Sequence, residues 1–249
     1  MEEREKREQF KRWIQESENV VFFGGAGVST ESGIPDFRSV DGLYSQEYAY
    51  PPETILSHSF YIRKPEEFFR FYRNKMLFPD AKPNRAHLAL AKLEREGKVK
   101  AVITQNIDGL HQAAGSREVL ELHGSVHRNY CERCKTFYSM EQVMAMERVP
   151  KCSCGGTIKP DVVLYEEGLD SQVLSRSIQH IRNADMLIVG GTSLVVYPAA
   201  GLIDYYRGNR LVLINKSATA RDSQADLVIC GSIGEVLGEA AGIPEIKRV

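Results

Sequence analysis

The chain has 249 residues, 43% hydrophobic and 26% charged, and its 32 basic and 33 acidic side chains leave a formal net charge of -1. That size and balance describe a globular protein able to bury a sizeable core as one large domain with a smaller appendage, and they exclude a disordered chain. The charges are mixed along the sequence, so direct binding of nucleic acid is not expected, and no apolar stretch approaches the ~18 residues of a membrane helix.

The opening segment, MEEREKREQFKRWIQESENV, is too charged for a signal peptide, which predicts a cytoplasmic protein. Phe10, Trp13 and Ile14 fall at helical spacing and give one apolar edge on a solvated helix that covers the core. Val20 to Phe23 is a short apolar run that stops at Gly24 and Gly25, as a buried strand does at a tight turn. Gly25, Ala26 and Gly27 let the backbone approach a ligand, and Ser29 and Thr30 can start a helix whose N–H groups favour a phosphate. The dinucleotide fingerprint G-x-G-x-x-G is only partly matched, because Thr30 stands at the third glycine; alone, the pattern equally fits a turn with no ligand. The chain then enters Ser32-Gly33-Ile34-Pro35-Asp36-Phe37-Arg38, a string that no packing argument requires.

Asp41 to Pro52 is polar, aromatic and turn-rich, as a flexible loop beside a ligand would be. Phe60, Tyr61, Phe68, Phe69, Phe71, Tyr72 and Phe78 predict the core of a small helical module, because aromatic stripes mainly supply burial. Asn84 to Glu96 reads as an amphipathic helix stopped by Gly97. Ala101 to Thr104 is the next strand and runs into Gln105-Asn106-Ile107-Asp108-Gly109-Leu110-His111, polar groups at the strand end where open α/β sheets bind ligands. Val119 to Leu122 is a third strand, and His123 follows at the same edge, where a general base would face a bound ligand.

Cys131-x2-Cys134 and Cys152-x-Cys154, separated by seventeen residues, form a zinc-ribbon pattern. Four thiolates fill a tetrahedral site and leave no position for water, so the zinc is expected to be structural. Cys230 lies far from this cluster and reads as a small buried hydrophobe. Three further strands, Asp185 to Gly190, Leu211 to Ile214 and Leu227 to Ile229, bring the total to six. Asn215 and Lys216 follow the fifth strand where a doubly wound fold reads an adenosine ribose, and Ser232-x-x-Glu235 has the form of a capping box for a last helix. Strands alternating with helices give an α/β fold with a Rossmann-like six-stranded parallel sheet, and two insertions form a small domain from the helical module and the zinc ribbon.

The run from Gly25 to Arg38 matches, without a gap, the hallmark GAG-[IV]-S-x-x-SGIPDFR of the sirtuins, the NAD-dependent protein-lysine deacylases. Thr104 to His111 matches their TQNIDGLH string, His123-Gly124 their E-[LV]-HG string, and Gly191-Thr192-Ser193 their GTSL loop. With the cysteine pairs, the resemblance spans Val20 to Ile233 and is of bacterial type. It implies that Gly25, Ala26, Gly27, Thr30, Asp36, Phe37, Arg38, Gly191, Thr192, Ser193, Asn215, Lys216 and Ile233 bind NAD. Gln105 and Asn106 would contact its ribose, and Ile107 and Asp108 its nicotinamide carboxamide. His123 would be the catalytic base, acting with Asn106 and Asp108, and Cys131, Cys134, Cys152 and Cys154 would hold one structural zinc ion.

Val163, Leu164, Tyr165 and Glu166, facing Val195, Val196 and Tyr197, would form the two rails that hold an extended acyl-lysine peptide. The implied reaction gives nicotinamide, O-acyl-ADP-ribose and free lysine from an acylated protein. ADP-ribosyl transfer to protein, or NAD sensing without turnover by a zinc protein, are the alternatives. The implied bounds are 1–41, 79–123 and 157–249 for the NAD-binding large domain, 42–78 for the helical module and 124–156 for the zinc ribbon. Two departures stand out: the family commonly has Cys-x2-Cys in both pairs, and its K-P-D-V-V-F-F-G-E string has Leu164, Tyr165 and Glu166 here in place of two phenylalanines and a glycine. Nothing in the sequence fixes an oligomeric state, and a monomer is compatible with every motif.

Overall fold

The computed structural model describes residues 2–37, 42–43 and 48–245; Arg38 and Asp41 lie outside them. The elements, in order, are α1 (Glu3–Glu16), β1 (Val20–Gly24), α2 (Pro52–Ile55), α3 (His58–Arg63), α4 (Pro65–Lys75), α5 (Arg85–Arg95), β2 (Val99–Thr104), α6 (Leu110–Ala113) and β3 (Val119–Glu121). They continue with β4 (Gly124–Cys131), β5 (Phe137–Tyr138), α7 (Met140–Met144), β6 (Ile158–Val162), α8 (Ser171–Asn183), β7 (Met186–Gly190), β8 (Leu211–Asn215), β9 (Leu227–Cys230) and α9 (Ile233–Ala240).

The six expected strands form one sheet in the order β3-β2-β1-β7-β8-β9, and every neighbouring pair is parallel. Strand side chains alternate between two cores, because successive residues point to opposite faces. Val20, Phe22, Val102, Ile188, Val212 and Ile214 pack under α1, α5 and α9, while Val21, Phe23, Ile103, Leu187, Val189 and Leu213 face α8 and the 3-10 segment Ala199–Tyr205. Phe10 and Ile14 of α1 are buried there, as the helical spacing predicts. The strand order reverses between β1 and β7, and doubly wound folds bind ligands at that crevice, outside the carboxyl ends of the strands.

The aromatic stretch forms α3 and α4, whose Phe60, Tyr61, Phe68, Phe69, Phe71 and Tyr72 build a third core. Val126, Met140, Val162 and Leu164 join that core, so the helical module and the antiparallel sheet β5-β4-β6 bury one shared set of side chains.

Three local expectations give way to tertiary contacts. No α-helix begins at Ser29; the segment makes two 3-10 turns, Ala26–Val28 and Thr30–Ser32, separated by Ser29, whose side chain is turned into the site. The Ser232–Glu235 capping box does not close, because the Ser232 hydroxyl donates to Glu31 and the Glu235 carboxylate pairs with Arg7. Cys230 is exposed rather than buried, since it ends the edge strand β9, and its thiol donates to the Lys216 carbonyl.

Gly124 carries the chain from β3 into β4 beside His123 at φ +75°, and a Cβ there would lie inside contact distance of the Asp161 carbonyl. Left-handed backbone costs an L-residue about 1–2 kcal/mol before any clash. Gly124→Ala is therefore expected to destabilise the protein by about 2 kcal/mol or more, seen as a fall in Tm of roughly 4–8 °C in a chain of this size. An unchanged melting curve would show that the β3–β4 turn relaxes freely.

Candidate active site and metal centre

The strand-end loops converge because their strands are parallel. The turn after β1 and the loop after β7 meet backbone to backbone, with Gly27 N–H donating to the Gly191 carbonyl at 2.8 Å. A Cβ on Gly27 would stand 2.8 Å from the Gly191 Cα, and one on Gly25 2.8 Å from the Thr192 Cβ. Here the glycines serve loop-to-loop contact. From the next strand end, Gln105 Nε2–H donates to the Thr192 hydroxyl at 3.1 Å, and Thr192 N–H donates to Asn215 Oδ1 at 3.0 Å. Asn215 Nδ2 is buried with no partner among the described residues.

Ser29, singled out in the sequence only as a helix start, is the hub of the polar cluster. It accepts from Asn106 Nδ2–H at 3.0 Å and donates to Asp108 Oδ2 at 2.6 Å. The other Asp108 oxygen accepts from Leu110 N–H at 2.9 Å. Burial pushes the Asp108 carboxyl above its ordinary pKa, against the pull of these hydrogen bonds. The signal that could have found Ser29 is its place inside the hallmark run, since a serine that caps nothing in a glycine-rich turn needs another partner.

His123 Nδ1–H donates to the Gln105 carbonyl at 3.0 Å; a carbonyl only accepts, so the proton sits on Nδ1 and the Nε2 lone pair is available. Burial lowers the His123 pKa, against the pull of the hydrogen bond to Gln105. Phe37 and Ile107 lie partly buried against the aromatic core. Behind the site, His87 and His111 pack ring to ring at 4.7 Å, and burial lowers both pKa values, that of His87 to about 4. Lys216 and Ser193 are exposed at their strand ends, and Ile233 is buried where α9 begins, against Gly190.

Of the expected peptide rails, Leu164 is buried and Tyr165 uses both backbone groups within the protein, accepting from His58 N–H and donating to the Leu56 carbonyl. Glu166 sits at φ +76°, which explains why a glycine suits that place, and its carboxylate accepts from the Ser59 N–H and hydroxyl. On the opposite side Val195 and Tyr197 are 53% and 64% exposed.

The Cys131, Cys134, Cys152 and Cys154 sulfurs lie within 4.8 Å of one another, with Cys131–Cys154 at 3.4 Å and Cys134–Cys152 at 3.5 Å. A tetrahedron with Zn–S bonds of about 2.3 Å has edges near 3.8 Å, so the donor set fits zinc. The short Cys152-x-Cys154 pair turns through Gly155 at φ +84°, and a Cβ on Gly156 would stand 2.6 Å from Cys131 Sγ. Two glycines thus supply the tight knuckle that the missing spacer residue demands.

A doubly wound sheet with its polar cluster at the strand-order switch, joined to a four-cysteine module, defines a nucleotide-binding enzyme with a structural metal. The profile of the Sir2 family matches residues 25–198, and the chain belongs to that family. It is 62% identical over 233 residues to an NAD-dependent protein deacetylase of Clostridium acetobutylicum (92% of this chain, 95% of the relative). It is 63% identical over 233 residues to one of Clostridium perfringens (92% and 96%). Among solved structures, a Sir2 homologue–NAD complex superposes with TM-score 0.85 at 40% identity, covering 94% of this chain and 92% of that one. A Sir2 variant with deacetylated p53 peptide and 3'-O-acetyl ADP-ribose superposes with TM-score 0.84 at 40% identity, covering 92% and 95%.

Serine at Cys154 is expected to abolish stoichiometric zinc and lower Tm, because a closed thiolate site contributes folding free energy and activates no water. Metal analysis of the purified variant beside its melting curve checks this; retained zinc at wild-type stability would remove Cys154 from the ligand set.

Proposed function

We propose that this protein removes acetyl groups from protein lysine side chains with NAD as cosubstrate, giving nicotinamide, O-acetyl-ADP-ribose and free lysine. The observation that carries this reading is the pairing, at one sheet edge, of an available His123 Nε2 with the Asn106–Ser29–Asp108 chain. When bound, NAD supplies a ribose carbon that nicotinamide leaves and the acyl oxygen joins.

His123 Nε2 takes the proton from the ribose hydroxyl that completes acyl transfer, and the Gln105 carbonyl holds its ring in the required tautomer. Asp108 accepts from the carboxamide N–H beside Ile107, and Asn106, steadied by Ser29, orients the ribose. Phe37, in the Asp36-Phe37-Arg38 stretch, shields the reacting carbon from water. The turn Gly25-Ala26-Gly27 with Thr30 and the loop Gly191-Thr192-Ser193 hold the phosphates and adjoining ribose. Asn215, whose buried Nδ2 is otherwise unpartnered, reads the adenosine ribose with Lys216, and Ile233 packs on the adenine.

The acyl-lysine peptide lies between Val163, Leu164, Tyr165 and Glu166 on one side, where Leu164 is buried and Tyr165 is exposed, and Val195, Val196 and Tyr197 on the other. We take 1–41, 79–123 and 157–249 as the large domain and 42–78 and 124–156 as the small one, although β6, inside the large-domain range, pairs with β4 and Val162 joins the small module's core. No helix among the described residues is long and apolar enough to cross a membrane, and we assign the enzyme to the cytoplasm.

His123→Ala is expected to lower kcat for an acetyl-lysine peptide by about 10² to 10⁴ fold with NAD binding retained, the scale of a positioned general base. Steady-state rates, NAD titration and product mass spectrometry check it. Near-wild-type turnover in the folded variant would sink the assignment, and ADP-ribosylated peptide as product would indicate transfer to protein instead.

Sirtuins that prefer succinyl or malonyl lysine carry a Tyr-x-x-Arg pair in the helical module, and the matching stretch here keeps Tyr72 but has Lys75 for the arginine. Tyr72 is buried against Phe68, while the Arg73 guanidinium lies over the Phe69 ring at 5.6 Å, its Nε and Nη2 buried without partners among the described residues. Lys75 cannot reproduce an arginine fork, and burying an acyl carboxylate without one is costly. An acetyl peptide is expected to exceed its succinyl counterpart in kcat/KM by roughly tenfold or more, the scale of one charge-assisted hydrogen bond left unmade. Equal or higher efficiency on the succinyl peptide would overturn this and point to Arg73 or Lys75 as the carboxylate's partner.

A further inference from the structure

The N-terminus of α9 is closed by a side chain from a distant part of the sequence. Glu31 lies in the 3-10 turn Thr30–Ser32, at one of the two positions where the hallmark run accepts any residue, so the motif itself assigns it nothing. Its Oε1 accepts from the Ser232 hydroxyl and, at 2.8 Å, from Gly234 N–H, across more than two hundred residues of sequence. Gly234 makes the approach possible, because a Cβ there would stand 2.5 Å from Glu31 Oε2. The carboxylate occupies the positive end of the helix, where an anion is favoured.

Both ends of this contact are beside candidate cofactor residues. Glu31 follows Thr30, whose hydroxyl is bound back to the Gly27 carbonyl at 3.0 Å. Ser232 and Gly234 flank Ile233, whose Cδ1 would be met at 2.5 Å by a Cβ on Gly190. A rigid phosphate turn and a helix end carrying the adenine contact are thus joined by one carboxylate.

We infer that Glu31 is a positioning residue for the adenosine half of NAD: by capping α9 through Ser232 and Gly234, it fixes Ile233 relative to the phosphate turn before the cosubstrate binds. The inference rests on the deacetylase reading for its ligand. Glu31 reaches none of the groups assigned to the nicotinamide end, so its effect falls on binding of the adenosine half and leaves the chemical step alone. Of the N–H groups at the start of α9, that of Gly234 is taken by Glu31.

The test compares Glu31→Ala, Glu31→Gln, Gly234→Ala and the Glu31→Ala/Gly234→Ala pair for NAD KM, kcat and acetyl-peptide KM, with ADP-ribose titrated by calorimetry. Glu31→Ala is expected to raise the NAD KM and the ADP-ribose Kd together by roughly tenfold, the scale of one charge-assisted hydrogen bond. Its kcat, peptide KM and inhibition by nicotinamide stay within about twofold on the same argument. Glu31→Gln, which keeps an acceptor oxygen, recovers most of the affinity. Gly234→Ala, which favours the helix by intrinsic propensity, reproduces the defect by displacing the carboxylate, and the double variant is no worse than either single one.

Unchanged ADP-ribose affinity in a folded Glu31→Ala protein would overturn the inference, as would equal losses in kcat and peptide KM, or additivity in the double variant. If wild-type protein binds ADP-ribose but turns over no acetyl peptide, the deacetylase reading falls, while the affinity ratio between wild type and Glu31→Ala still decides the role of Glu31.

Discussion

The contact on which the site depends is the approach of two backbones, the turn after β1 and the loop after β7, where Gly27 N–H meets the Gly191 carbonyl at 2.8 Å. There is no room for a side chain between them. It occurs where adjacent parallel strands send their chains in opposite directions, which is the one place in a doubly wound sheet where a crevice opens. Gln105, Thr192 and Asn215 then tie three strand ends together by side-chain hydrogen bonds, so the floor of the crevice is a connected network.

Burial acts in opposite directions on two ionisable groups of the strand-end cluster, His123 and Asp108. It lowers the His123 pKa, as the proposed base role requires, and it raises the Asp108 carboxyl, which stays compatible with charge because Ser29 and Leu110 donate to it. One desolvated environment therefore suits both groups, provided the hydrogen bonds around each are specific. Ser29 makes that provision for Asp108 and the Gln105 carbonyl for His123.

The small module is held by two means that act at different ranges. Aromatic side chains from α3 and α4 share a core with Val126, Val162 and Leu164, which is nonspecific burial over a wide area. The four sulfurs fix a few atoms within 4.8 Å of one another. Arg128 adds a charge link across the turn at Gly124, pairing with Glu121 of β3 and Asp161 of β6, each at 2.7 Å.

All six parallel strands, the helices α1, α5 and α9, the helical module and the cysteine cluster were legible in the sequence, because their signals are local: apolar runs closed by glycine, helical spacing, and short cysteine pairs; α8 was not. Tertiary structure alone decided what the polar side chains between those elements would do. Ser29 read as a helix start and became the partner of Asn106 and Asp108; Ser232 read as half of a capping box and bonds Glu31 instead; Cys230 read as buried and lies exposed at the end of an edge strand. The physical reason is common to all three. An apolar run is satisfied by any core, so its fate follows from its own pattern, whereas a polar group is satisfied only by particular partners. Here those partners are brought within reach from as far as two hundred residues away, when the sheet closes.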